Sequence, residues 1–217
     1  IIMFCIQIIM PLTINATNIS KSENDVNWNF DNETGILTFS GNGSITAAWQ
    51  TGIEEYGSKI KKVKIEEGIT GIGRAAFLCC EELTDVEIPE SVTGIGQSAF
   101  EGCKSIKKVQ IPQNVSYIGL FAFCGCISLE SINIPDKVEK INDATFLNCI
   151  SLTYVDIPNN VISIGEIAFR GCIALKKITI QNDFTIIKSG AFKDCSNLKI
   201  YCNKGSLAEK YAKENNI

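Results

Sequence analysis

Ten cysteines stand in a chain that has no histidine. Thiols are therefore the first candidates for chemistry. The stretch "RAAFLCC" (74–80) concentrates the question, because Cys79 and Cys80 are adjacent and Glu81 and Glu82 follow them. Such a cluster could ligate a metal, cycle between thiol and disulfide, or supply half of a cross-link. The lack of histidine removes the commonest general base, the usual zinc partner and the Ser/His and Cys/His dyads together. Any remaining thiol chemistry needs sulfur atoms that converge.

Their spacing argues against convergence. Cysteines recur at 80, 103, 126, 149, 172 and 195, and phenylalanines keep the same step of 23 residues at 77, 100, 123, 146, 169 and 192. Leu83, Ile106, Leu129, Leu152, Leu175 and Leu198 form a third column. Further columns run through Val86 to Ile178, Ile88 to Ile180, Pro89 to Pro158, Val92 to Phe184 and Ile95 to Ile187. A fixed period of this length marks a solenoid, whose coils bury their apolar faces only by stacking on one another. "KKVQIP" alternates as a strand, with Val109 and Ile111 inward, and Pro112 ends it because proline cannot donate to a ladder. "VSYIG" reads as a second extended piece, and "LFAFCGC" as a single helical turn stopped near Gly125.

In such a stack each ladder cysteine occupies one inward position and packs as a small apolar side chain. Neighbouring rungs point the same way at strand spacing, about 4.8 Å, whereas a disulfide needs Cβ atoms about 3.8 Å apart. A straight row also offers no tetrahedron for zinc. Cys5, Cys79, Cys124 and Cys202 lie off the ladder, and Cys79 and Cys124 are two coils apart. No cofactor or metal is expected.

Composition sets the class. The chain has 217 residues, 45% hydrophobic and 20% charged, with a net charge of −4 and a pI near 5.0. That is a globular composition, and the acidic balance opposes nucleic-acid binding. "IIMFCIQIIMPLTINA" (1–16) resembles the apolar core of a secretory signal, with Ile14-Asn15-Ala16 as a cleavage site before Thr17. Residues 1–22 are read as this remnant and a flexible lead. Export would place the ten thiols in a setting that tolerates them, such as an anaerobic one. Sequons stand at Asn15, Asn18, Asn32, Asn42 and Asn114.

The unit "IPESVTGIGQSAFEGCKSIKKVQIP" closely resembles the BspA-like class of leucine-rich repeats, found in bacterial surface proteins and some parasitic protists, over roughly residues 58–204. It lacks the asparagine ladder of the more familiar leucine-rich repeat. The resemblance implies an α/β solenoid: a right-handed superhelix with a parallel β-sheet on its concave face. "WNFDNETGILTFSGNGSITAAW" (28–49) also looks like the opening of such proteins. It reads as a hairpin, with Trp28 and Phe30 on one strand, 32–35 in the turn, and Ile36, Leu37 and Phe39 on the other. Residues 23–57 thus form an N-terminal β cap. "GSLAEKYAKENNI" (205–217) reads as a C-terminal helical cap, N-capped by Ser206.

Stacked strands display the residues between the inward ones as a continuous face, the surface that repeat proteins use for binding. The candidate positions are Lys62, Asp85, Lys108, Ser131, Tyr154 and Lys177 in one column, and Lys64, Glu87, Gln110, Asn133, Asp156 and Thr179 in the next. Lys61, Thr84, Lys107, Glu130, Thr153 and Lys176 flank them. No enzyme motif is present. "SGNGSI" (40–45) is followed by no helix pattern, and "GIGRAA" (71–76) recurs as a repeat turn rather than as a dinucleotide fingerprint. The expected protein is a secreted or cell-surface, monomeric, adhesin-like module. Its partner would be a protein, such as one on a host or neighbouring cell, with no nucleic acid and no membrane span in the mature chain. The alternative is a structural spacer that displays another domain.

Overall fold

Every coil opens with a short strand whose inward residues are aliphatic, and these strands stack in parallel. The computed structural model describes residues 18–23, 25–50 and 54–217. Residues 1–17, with the proposed signal and cleavage site, lie outside the described residues. The first row comprises Lys62–Ile65, Asp85–Glu87, Lys108–Val109, Ser131–Ile132, Tyr154–Ile157, Lys177–Ile180 and Lys199–Cys202. The 23-residue step places Lys62 beside Asp85, Ser131 beside both Lys108 and Tyr154, and Tyr154 beside Lys177. A second row runs through Gly43–Ile45, Ile69–Ile72, Gly94–Ile95, Tyr117–Ile118, Lys140–Ile141, Ser163–Ile164 and Ile186–Ile187. Each row's ladder is interrupted once, between Asp85–Glu87 and Lys108–Val109 in the first and between Tyr117–Ile118 and Lys140–Ile141 in the second. The result is a parallel-strand solenoid of about seven coils.

The third side of each coil corrects the expected helical turn. In residues 75–80 alternate N–H groups serve different partners. Those of Ala76, Leu78 and Cys80 close turns onto Gly73, Ala75 and Phe77. Those of Ala75, Phe77 and Cys79 donate to the carbonyls of Gln97, Ala99 and Glu101 in the next coil, at 2.8, 2.8 and 2.7 Å. The pattern repeats through Ile167, Phe169 and Gly171, which donate to Ser189, Ala191 and Lys193. A helical turn would close its N–H groups locally and leave few for the adjacent coil. Left-handed residues make the alternation possible: Ala75 (φ 55°), Ser98 (55°), Phe121 (58°), Ala144 (55°) and Ile167 (50°) occupy one column, and Cys79 (57°), Gly102 (74°) and Gly125 (70°) another. Such a backbone costs an L-residue about 1–2 kcal/mol, and the gained inter-coil bonds offset it. These bonds all point the same way, donors toward the C-terminal tip and acceptors toward the N-terminal tip.

The core follows the columns. Phe77, Phe100, Phe123, Phe146, Phe169 and Phe192 are buried, and successive rings stack with centroids 5.1 to 5.7 Å apart. This is the offset geometry that aromatic rings prefer. Both tips finish the stack with an aromatic residue that brings a polar group toward the open backbone. At the N-terminal tip Trp49, on the short turn Ala47–Gln50, lies 6.0 Å from the Phe77 ring, and its indole N–H donates to the Ala76 carbonyl at 2.7 Å. At the C-terminal tip Tyr211 meets the Phe192 ring edge-on at 6.0 Å, and its hydroxyl lies toward the Phe192 N–H. Tyr211 lies on α1 (Leu207–Glu214), where the Ser206 hydroxyl accepts the Glu209 N–H as a helix cap.

The N-terminal cap holds three strands rather than two. β1 (Asn18–Glu23) pairs antiparallel with β2 (Val26–Asp31), which pairs with β3 (Ile36–Gly41), and β3 joins Lys62–Ile65 in parallel. β1 falls where the sequence suggests a flexible lead. Its polar composition, "NISKSE", hides the strand.

One further correction concerns a column. Phe184 does not continue the inward Val92–Val161 column. It is 78% exposed, and Thr185 is buried in its place. In earlier coils Val115, Val138 and Val161 each donate to a proline carbonyl three residues back, whereas here Thr185 donates to Asn182. Gln181 stands where proline stands elsewhere, so the turn forms one residue later and Phe184 swings out. Asparagines after the strands bond between coils without forming a ladder, since Lys137 stands between Asn114 and Asn160, and Asn182 and Asn203 fall out of the 23-residue register. The side-chain amides of Asn114, Asn160, Asn182 and Asn203 donate to the carbonyls of Glu90, Asp136, Asn159 and Gln181 at 2.7 to 3.0 Å.

Candidate functional site

The sequence points to two places where function could reside, the thiol ladder and the outward face of the first strand row. The thiols are dry. Cys80, Cys103, Cys126, Cys149, Cys172 and Cys195 are buried, and all described cysteines are free. From Cys103 onward each ladder sulfur donates to the carbonyl of a phenylalanine in the preceding coil: Cys103 to Phe77 (3.1 Å), Cys126 to Phe100 (3.2 Å), Cys149 to Phe123 (3.2 Å), Cys172 to Phe146 (3.2 Å) and Cys195 to Phe169 (3.1 Å). The same carbonyls accept the N–H that closes the local turn. Cysteine is thus a residue small enough for the column that still brings a weak donor to the second lone pair. Burial pushes the Cys80 thiol up to about 12 and Cys195 up to about 11. Burial likewise raises Cys103, Cys126, Cys149 and Cys172 well above the ordinary range. A thiol that resists ionisation is a poor nucleophile and a poor ligand. Among the described residues no group of three or more cysteines and carboxylates could hold a metal ion.

The first-row face divides into two halves. On the N-terminal coils Lys62 reaches both Asp85, at 3.0 Å, and Glu87. These two carboxylates, Glu87 foremost, hold the Lys62 ammonium above its usual pKa. Lys64 lies 3.7 Å from Glu66. The charges there are spent on one another. In the middle, Asn133 is committed to the backbone: its amide donates to the Ile111 carbonyl at 2.7 Å and accepts the Ile111 N–H at 2.9 Å. It thereby splices the coil next to the first-row interruption. Lys108 and Gln110 are exposed, and Ser131 is half-buried.

The C-terminal half differs. Tyr154 and Tyr201 are each 51% exposed. Tyr154, Lys177 and Lys199 are direct neighbours across three strands, as are Asp156, Thr179 and Tyr201. The Lys177 ammonium sits 5.4 Å above the Tyr201 ring. Among the described residues no ion pair involves Lys108, Lys176, Lys177, Lys199 or Asp156. Ile134, Asp136, Asp156, Pro158, Lys177 and Thr179 border an open depression of about 480 Å³. The Thr179 hydroxyl is buried there with no hydrogen-bond partner. Lys199 and Tyr201 are face residues that the 23-residue count misses. The last strand pairs 22 residues from its neighbour, Ile178 with Ile200. The alternation in "KIYC" was the signal.

A family model for the BspA type leucine rich repeat region matches residues 54–141 and 116–210, with 6 copies. Among solved structures, a leucine rich repeat protein of T. pallidum is 24% identical, covering 85% of this chain and 82% of its own, with a TM-score of 0.60. One from Bacteroides ovatus is 22% identical, over 84% of this chain and 71% of its own, with a TM-score of 0.45. The T. pallidum likeness supports the fold. Among curated proteins none matches significantly.

Proposed function

Because the chain belongs to the BspA-type leucine-rich repeat family, we propose that it is a protein-binding module whose docking surface is the outward face of the first strand row. On this reading the face is the concave side of a right-handed superhelix. The module is exported and works, adhesin-like and as a monomer, at the cell surface. One observation carries the reading. Inward positions of the row repeat coil after coil, whereas its outward positions differ and gather two half-exposed tyrosines with unpaired lysines on the last coils. Tyrosine is a favoured interface anchor. Among the described residues no helix is long and apolar enough to cross a membrane.

Hydrogen exchange on the chain bound to a captured surface protein tests the reading. Protection is expected over Tyr154–Ile157, Lys177–Ile180 and Lys199–Cys202. Loss of capture on reversing Lys108 and Asp156 together supports the same face. A second reading, a spacer that displays another domain, draws on the exposed apolar group Ile162, Phe184, Ile186 and Leu207 beside the C-terminal cap. Protection confined to that group, with the strand face unprotected, favours the spacer. An enzymatic role is not proposed, since the thiols are the chain's densest chemical group and burial disarms the ladder. Titration of the folded protein should leave the six ladder thiols unlabelled until denaturant is added, while exposed Cys79 reacts.

A further inference from the structure

Lys177 and Lys199 are direct cross-strand partners on an exposed face, and like charges so placed repel. Lys176, exposed, directly precedes the strand Lys177–Ile180 and adds to the local positive charge. On the N-terminal coils the same columns place lysine against carboxylate, and the ions pair. The arrangement at the other end breaks a local rule that the molecule obeys elsewhere, and such breaks concentrate at functional sites. The chain as a whole carries a net charge of −4, so this local surplus of positive charge runs against the protein's own balance.

We infer that the last three strands of the first row hold an acidic segment of a partner polypeptide. The partner's carboxylates lie on Lys176, Lys177 and Lys199, and its apolar stems lie against Tyr154 and Tyr201. This rests on the proposed function and adds the partner's chemistry to it. The lysines and Tyr154 stand at the start of the strands. Asp156 and Asp136, at the far side, border the open depression with Thr179. An occupant therefore meets ammonium groups first and carboxylates about two rungs further along the strand, roughly 7 Å away. A polypeptide that carries acids followed by a hydrogen-bond donor or a base satisfies both. A nucleic acid is the poorer occupant, because no arginine stands on the face to grip phosphate bidentately.

The test is a nitrogen-15 amide titration of the full chain with three capped pentapeptides: penta-Glu, penta-Gln and penta-Lys. Penta-Glu should shift Tyr154, Lys177, Lys199 and Tyr201 and leave the Lys62–Ile65 amides in place. The response should weaken about tenfold when Lys177→Gln and Lys199→Gln are combined, and should fade in the unaltered chain as salt shortens the screening length. Shifts on these strands with penta-Gln or penta-Lys but not with penta-Glu overturn the charge assignment while leaving the face as a binding surface. Penta-Glu shifts confined to other parts of the chain, or no shift with any peptide, overturn the proposal. The exchange experiment with a captured partner then decides separately whether the face binds at all.

Discussion

In the strand Tyr154–Ile157, Val155 and Ile157 meet Ile178 and Ile180 on the next strand, whereas Tyr154 and Asp156 meet Lys177 and Thr179. The two sides of one strand thus answer to different constraints. Inward positions stack like on like, because a dry column tolerates neither a gap nor an unpaired polar group. Outward positions vary freely, and only on the first coils do they neutralise one another. Repetition marks what holds this molecule together, and its absence marks where a partner can be read.

That contrast is broken most severely by alkali. A buried thiol has a folded pKa above its unfolded value of about 8.5. Its contribution is complete below that value and is lost as pH rises toward the folded pKa, about 12 for Cys80. Each protonated thiol costs about 1.4 kcal/mol per pH unit across that window, so six together cost about 8 kcal/mol per unit. Urea midpoints should therefore collapse between about pH 9 and 10, and Cys126→Ala with Cys149→Ala should flatten the slope. Constant stability across that range would mean the ladder is wet.

Phe123→Ala removes a fully buried ring from mid-stack and should cost about 3–5 kcal/mol in urea denaturation. A loss below about 1 kcal/mol would deny the stack its role. Tyr211→Phe keeps the ring against Phe192 but deletes the hydroxyl that lies toward its N–H, and should cost about 1 kcal/mol. Reversing Lys108 and Asp156 together should move stability by no more than about 0.5 kcal/mol, while abolishing partner capture. A large stability loss there would erase the distinction between the two sides of the strand.

The columns were legible in the sequence because each rung repeats one residue type at one interval. Phe77 to Phe192, Cys80 to Cys195 and both strand rows follow from that count. The candidate face was legible as the complement of the inward positions, but its chemistry was only partly so. Asn133 reads as a display residue and is in fact spent on Ile111. Lys199 and Tyr201 escape because one residue is lost between Leu198 and Ile200. Phe184 misleads because hydrophobic identity says nothing of a turn displaced from a missing proline to Asn182. The left-handed turn columns were hidden for another reason. Ile167 and Phe121 are residues that local preference steers away from positive φ, and only bonds to the next coil hold them there.

The uniform sense of the bonds on the turn side makes the two ends chemically unlike. One end offers oxygen and is closed by the Trp49 indole; the other offers hydrogen and is closed by the Tyr211 phenol. A shortened or lengthened version can therefore be spliced anywhere between coils, provided each end keeps its own plug. Moving the indole to the hydrogen end sets N–H against N–H, and butting two such stacks oxygen end to oxygen end leaves lone pairs facing lone pairs.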